Sequence, residues 1–202
     1  MSEKHAIVFD LGNVLLSFDY GRAVRALMKH CSVSEKELHT GIDQSPLLLQ
    51  YEAGAMSTVE FFAAVKSVTS FRGELDDFRS IFGDIFSEIP EMITLNDRLR
   101  AAGHRTYIFS NTNELAVNFI RNRFPFFANF DGYILSYEQR SMKPESRIYE
   151  SVEEMTGKKG DRLIYIDDLE ENVLAGAARG WQAIQHCDAR GTILNLNRLL
   201  GR

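Results

Sequence analysis

The chain has 202 residues, a formal net charge of −5, 45% hydrophobic and 25% charged residues. That length suits one core domain with an insertion rather than two full domains, and no tract of about 18 apolar residues is present to span a bilayer. The acidic balance, with no basic stripe interleaved with aromatics, argues against nucleic acid as a partner but leaves a small phosphorylated metabolite open, because a pocket can be locally positive on an acidic protein.

The start, MSEKHAIVFD, passes from polar residues straight into an apolar run without the basic and apolar regions of a secretory signal, so the expected compartment is the cytoplasm. Cys31 and Cys187 lie far apart in no metal-ligand spacing and read as free thiols. Short apolar runs then recur at 5–10, 105–110, 130–136, 162–167 and 181–185, each followed by turn residues and a helical pattern. This alternation predicts an α/β fold with a mainly parallel sheet. Helices are predicted over 91–102, ending at Gly103, and over 145–156, entered after Pro144 and ended near Gly157.

Residues 11–104 separate the first two runs, whereas one βαβ crossover needs only about thirty residues. An insertion is therefore expected at 17–88, helical throughout. Ser34 with Glu37 and Ser57 with Glu60 fit capping boxes, and Leu75, Phe78, Ile81, Phe82, Ile85 and Phe86 form a stripe at helical period. The aromatic run FPFFANF at 124–130 and Trp181 read as packing, and no two of the five histidines stand at metal-ligand spacing.

In an open parallel sheet, ligands bind beyond the carboxyl ends of the strands. The residues leaving the strands there are Asp10, Ser110-Asn111, Lys143 and Asp167-Asp168. Each has a plain structural reading, as a turn former, a helix cap, an exposed lysine or an acidic helix start. Together, at successive strand ends, they supply hard oxygens for Mg²⁺ beside a hydroxyl, an ammonium and backbone N–H groups for phosphoryl oxygens.

These stretches resemble the haloacid dehalogenase superfamily over nearly the whole chain. FDLGNVLL is similar to its first motif, IFSNTN to its second, FDGYILSYEQRSMKPESRIYE to the region leading through its third, and YIDDLEENVLAGAARGWQAI to its fourth. The resemblance implies a Rossmann-like parallel-sheet core of residues 1–16 and 89–202, with 17–88 as an inserted α-helical cap. It implies a Mg²⁺-dependent phosphomonoester hydrolase in which Asp10 is the nucleophile and forms an aspartyl-phosphate. Ser110 and the backbone N–H groups around Leu11, Gly12 and Asn111 would bind phosphoryl oxygens, and Lys143 would neutralise charge. Asp10, the Gly12 carbonyl and Asp168 would bind metal, with Asp167 a ligand or its support and Asn172 placed to hold a metal-bound water.

The usual first motif has a second acid where this chain has Gly12, which removes the expected general acid–base group, a function worth about 10²–10⁴ in rate. Three explanations stand. The DLGN form resembles the subgroup of the bacterial α-D-glucose-1-phosphate phosphatase, whose anomeric leaving group depends less on a proton donor. Asp19 is alternatively read as the substitute acid or base, against a role as N-cap of a helix near 22–30. Lastly, turnover is lost and phosphate binding kept. A metal-free haloacid dehalogenase is a further alternative, opposed by the acidic pair Asp167-Asp168. Phe18, Tyr20, Arg22, Tyr51 and Glu52 are candidate substrate contacts in the cap, with packing or a solvated surface as the competing role.

Overall fold

The structure is a computed structural model that describes residues 4–31, 45–83 and 85–201, apart from the side chains of Tyr20 and Phe82. Five parallel strands form the main sheet in the order β5-β4-β1-β6-β7: β1 (Ala6–Phe9), β4 (Arg105–Ser110), β5 (Gly132–Leu135), β6 (Leu163–Asp167) and β7 (Gln182–Gln185). All five coincide with the apolar runs, because strands covered on both faces need apolar residues at consecutive positions. Register places Phe9 beside both Ile108 and Ile166, so the ends of β1, β4 and β6 lie side by side.

Strand alternation divides the core between the two faces of this sheet. Ile7, Phe9, Ile108, Ile164 and Ile166 pack with Leu95 and Leu99 of α5 (Pro90–Ala101) and Leu196 of α10 (Ala189–Leu199). Val8, Tyr107, Phe109, Ile134 and Tyr165 pack on the other face with Ile148, Tyr149 and Val152 of α8 (Ser146–Thr156) and with Trp181. Phe124, Phe126, Phe127 and Phe130 are buried, as the packing reading of FPFFANF requires. Gly157 ends α8 in the left-handed conformation at φ 64°, and Gly103 follows α5 at φ 81°.

The remaining segment is helical but not throughout. Beside α1 (Tyr20–Met28), α2 (Pro46–Glu52), α3 (Thr58–Thr69) and α4 (Leu75–Gly83), it contains β2 (Leu16–Phe18) paired antiparallel with β3 (Phe86–Glu88). The helical stripe of residues 75–86 therefore breaks: Ile85 and Phe86 lie beyond α4, and Phe86 pairs with Phe18. Three-residue strands carry no period long enough to separate from an adjoining helix. The Ser57–Glu60 capping box is present, with Ser57 Oγ accepting from Glu60 N and Glu60 accepting from Ser57 N; the Ser34–Glu37 pair lies outside the described residues.

The helical region has its own apolar cluster, with Val24, Leu27, Leu48, Tyr51, Phe61, Val65, Phe71 and Phe78 packed together against Leu115 of the core. Tyr51 stacks on Phe61 with centroids 4.4 Å apart and planes at 12°. Its hydroxyl accepts from Leu115 N at 3.1 Å and bonds Thr58 Oγ1 at 2.7 Å. Thr58 in turn donates to Glu114, so α2 and α3 are tied to the first turn of α6 (Glu114–Arg123). Among the described residues no helix is long and apolar enough to cross a membrane.

Candidate active site

Asp10 leaves β1 with its N–H donating to Ile166 O at 2.8 Å, which holds the carboxylate beside the end of β6. Asp167 is the last residue of β6 and is fully buried. Lys143 Nζ stands between them, donating to Asp10 Oδ1 at 2.9 Å, Asp167 Oδ2 at 2.6 Å and Phe109 O at 3.0 Å. The aliphatic stem and ammonium lie among rings, with Nζ 5.0 Å from the Phe109 centroid. A lysine with three acceptors and almost no solvent is a fixed charge rather than a surface cation.

Asp167 is further held by donors on both oxygens: Tyr165 Oη to Oδ2, Leu169 N to Oδ1 at 2.9 Å, and Asn172 Nδ2 to Oδ1 at 3.0 Å. Asp168 accepts from Asn13 Nδ2 at 2.9 Å. Asn13 reaches it from a left-handed backbone position, φ 52°, which Asn tolerates better than other residues with a side chain. One carboxylate oxygen from each of Asp10, Asp167 and Asp168 lies within 4.8 Å of the other two.

Burial pushes Asp10 up to about 7; Lys143 opposes this, while Asp167 and Asp168 add to it. For Asp167, burial also works upward, but the charge and hydrogen bond of Lys143, with bonds from Tyr165 and Asn172, hold it below the ordinary range. Burial would lower Lys143, yet the two carboxylates outweigh it and keep the ammonium charged. Three carboxylates against one ammonium leave a formal charge of −2 when all are ionised. An oxygen-only donor set with that surplus fits a hard divalent cation such as Mg²⁺, which would relieve the buried repulsion.

The second-motif loop is fastened to the same site. Asn111 Nδ2 donates to Lys143 O at 2.9 Å, and Lys143 N donates to Asn111 Oδ1 at 2.8 Å, so the Asn111 side chain holds the lysine's backbone. Ser136 Oγ accepts from Thr112 N at 2.9 Å and donates to Thr112 O at 3.0 Å. Ser110 is buried and its Oγ makes a long bond to Asn111 O, 3.3 Å, which a better acceptor would readily replace. Asn113 caps α6, accepting from Ala116 N, so this stretch also serves as a helix cap.

Other expected residues lie elsewhere or act otherwise. Asp19 occupies the N-cap position of α1 without a side-chain cap bond; its carboxylate, 56% exposed, pairs with Arg25 at 3.3 Å and is outside the Asp10–Asp167–Asp168 group. Asn172, expected to hold a metal-bound water, directs Nδ2 at Asp167 and leaves Oδ1 buried without a hydrogen-bond partner among the described residues. Tyr51 is buried in the cap cluster, Arg22 is exposed on α1, and Glu52 is half-buried. Phe18, a candidate substrate contact, stands beside Gly12, and two supporting residues, Asn13 and Tyr165, were not anticipated. The signal for Tyr165 was period-two alternation, which puts it on the face of β6 that also carries Asp167.

Residues 4–180 match the haloacid dehalogenase-like hydrolase family, and the chain belongs to that family. It is 26% identical over 198 residues to the sesquiterpene phosphatase astK of Aspergillus oryzae, covering 97% of this chain and 96% of that protein. It is 23% identical over 189 residues to the D-ribitol-5-phosphate phosphatase of Bacteroides thetaiotaomicron, covering 89% of this chain and 90% of that one. Its fold is also that of a haloacid dehalogenase family enzyme of the latter organism, solved in complex with magnesium and inorganic phosphate, at a TM-score of 0.80, 23% identity, and coverage of 91% of this chain and 94% of that one.

Proposed function

We propose that the protein is a Mg²⁺-dependent phosphomonoester hydrolase that acts on small phosphorylated metabolites, such as sugar phosphates, through an aspartyl-phosphate at Asp10. The observation that carries this reading is the buried Asp10–Lys143–Asp167 arrangement with Asp168 beside it, at the carboxyl ends of neighbouring strands. Family membership supports hydrolysis, and the two named relatives, both phosphatases, support a phosphate ester as substrate. The DLGN form at 10–13 supports a place in the α-D-glucose-1-phosphate phosphatase subgroup.

In this reading Asp10 attacks phosphorus, the leaving oxygen departs with the bond's electron pair, and water then hydrolyses the acyl phosphate and frees the carboxylate. Lys143 orients Asp10 and offsets charge as the phosphoryl group is transferred. Ser110 Oγ and the N–H groups of Leu11, Gly12 and Asn111 bind the phosphoryl oxygens. Asp10, Asp168 and the Gly12 carbonyl would hold Mg²⁺, with Asp167 as ligand or support; the bound ion would supply charge neutralisation at the phosphoryl group. Most of the rate then comes from positioning and charge stabilisation. Asp19 stands in its exposed pair with Arg25, outside the carboxylate group, so water is the proton source in this reading.

Residues 1–16 and 89–202 form the catalytic core in this reading, and 17–88 the cap that selects substrates; their separate apolar clusters support the division. The unpaired Cys31 and Cys187 support a cytoplasmic setting. The test is phosphate release, with Mg²⁺ and after chelation, from an aryl phosphate, a hexose 1-phosphate and a hexose 6-phosphate. Metal-dependent release that Asp10→Asn abolishes is expected. Release unaffected by chelation or by Asp10→Asn overturns the reading, and halide release from a 2-haloacid after chelation would replace it with dehalogenation.

A further inference from the structure

Gly12 is not a glycine for the sake of its backbone. Its φ lies outside the left-handed region, where Gly54, Gly103, Gly157, Gly160, Gly180 and Gly201 are found. Among the described residues a side chain there meets Phe18 alone: an added Cβ would lie 3.0 Å from Phe18 Cε1 and 3.6 Å from Cδ1. Phe18 is the last residue of β2, and its backbone is set by pairing opposite Phe86. Gly12 and Phe18 therefore fit together, and the ring occupies the room a longer side chain at position 12 would use.

The direction of reaction gives that ring a role. Attacking and leaving oxygens of a phosphoryl transfer lie roughly in line. Lys143, Asp167 and Phe109 O fill the core side of Asp10, so a leaving group opposite Asp10 projects outward past the turn at 12–13. The paired strands β2 and β3 stand there, with Phe18 still 36% exposed. We infer that Phe18 is the specificity-determining wall of the leaving-group side, selecting esters of acidic, flat or apolar hydroxyl compounds, such as phenolic and anomeric phosphates, over esters of simple primary alcohols. The inference rests on the phosphatase reading of Asp10. In the step it concerns, the P–O bond to the leaving group breaks with its electrons going to that oxygen. The alkoxide or phenoxide then takes its proton from water, so an acidic leaving group reacts faster where no side chain at position 12 donates.

The experiment compares wild type, Phe18→Ala, Gly12→Asp and the double variant, all with Mg²⁺, on aryl phosphates of graded phenol acidity and on a primary alkyl phosphate. Folding is checked by circular dichroism and thermal melting. Wild type should show a steep fall in kcat/KM as the leaving group becomes less acidic. Phe18→Ala should raise KM for the aryl esters several-fold with little change for the alkyl ester. Gly12→Asp alone should give no gain on the alkyl ester, whereas the double variant should gain about 10²-fold or more there, because room for a proton donor has been opened. Equal alkyl-ester gain from Gly12→Asp alone, no gain from a folded double variant, or unchanged aryl KM in Phe18→Ala would overturn the inference. Failure of the phosphatase reading has a different signature, namely no Mg²⁺-dependent release by wild type from any ester.

Discussion

Replacing Lys143 with methionine should cost far more at pH 8 than at pH 5. Methionine keeps an unbranched apolar stem against Phe109 and Tyr165 but removes the ammonium that both buried carboxylates and Phe109 O accept from. The lysine side chain is 1% exposed and those of Asp10 and Asp167 are 10% and 0% exposed, so solvent screening does little and the loss of one partner of a buried pair, about 3–5 kcal/mol, applies. The sign with pH follows from linkage. In the wild type, Asp167 is held below its unfolded value, so its contribution is present above about pH 3.8 and is lost as pH falls through its folded value. Asp10 is raised to about 7, so its ionisation already opposes folding as pH rises from 3.8 towards 7. Without Lys143 both carboxylates lose the charge that opposed burial, both shift upward, and the variant weakens further as pH rises. Urea unfolding in chelator at pH 5 and pH 8 measures the gap, which should widen with pH and narrow when Mg²⁺ is added. A gap under about 1 kcal/mol at pH 8, the size of an exposed pair, or one that does not change with pH, would refute a buried and charged triad.

Asn111→Ala removes both bonds to the Lys143 backbone and should lower kcat about 10–100-fold with a smaller change in KM, read by steady-state kinetics on an aryl phosphate; about 1–3 kcal/mol follows from leaving the partner groups unpaired. Glu153→Gln should flatten the acid side of the stability profile. Two bonds from Arg179 at 2.9 Å, with Trp181 Nε1 at 3.1 Å, hold Glu153 below its ordinary value of 4.5, so its stabilisation is full above pH 4.5 and lost as pH falls further. Thermal melts between pH 3 and 6 test this. Tyr51→Phe keeps the stack on Phe61 but leaves Leu115 N and Thr58 without the hydroxyl; a loss of about 1–2 kcal/mol in urea unfolding is expected.

The sheet was legible because parallel strands buried on both faces leave continuous apolar runs, and the site because three of those runs end in groups that suit metal and phosphate while Lys143 follows a fourth. What escaped was set by pairing distant in sequence. The LSF and FSE strands are too short to show a period and take their register from each other. Asn111 looked like a phosphate contact through its backbone, and the structure adds a side chain folded back on Lys143, which no local pattern encodes. The same is true of Asn13 reaching Asp168 across 155 residues. At Gly12 the sequence showed a missing acid; the ring of Phe18 in its place is visible only once β2 pairs with β3.

The central claim is that Asp10 carries the phosphoryl group. Its most direct test is acid quenching of the enzyme with Mg²⁺ and a fast-leaving aryl phosphate during the first turnover, followed by mass spectrometry of the peptide containing Asp10. The account predicts a phosphoryl adduct on Asp10 that forms before phosphate appears and is absent in Asp10→Asn. Phosphate release at full rate with no adduct on that peptide, or an adduct on another residue, would contradict it.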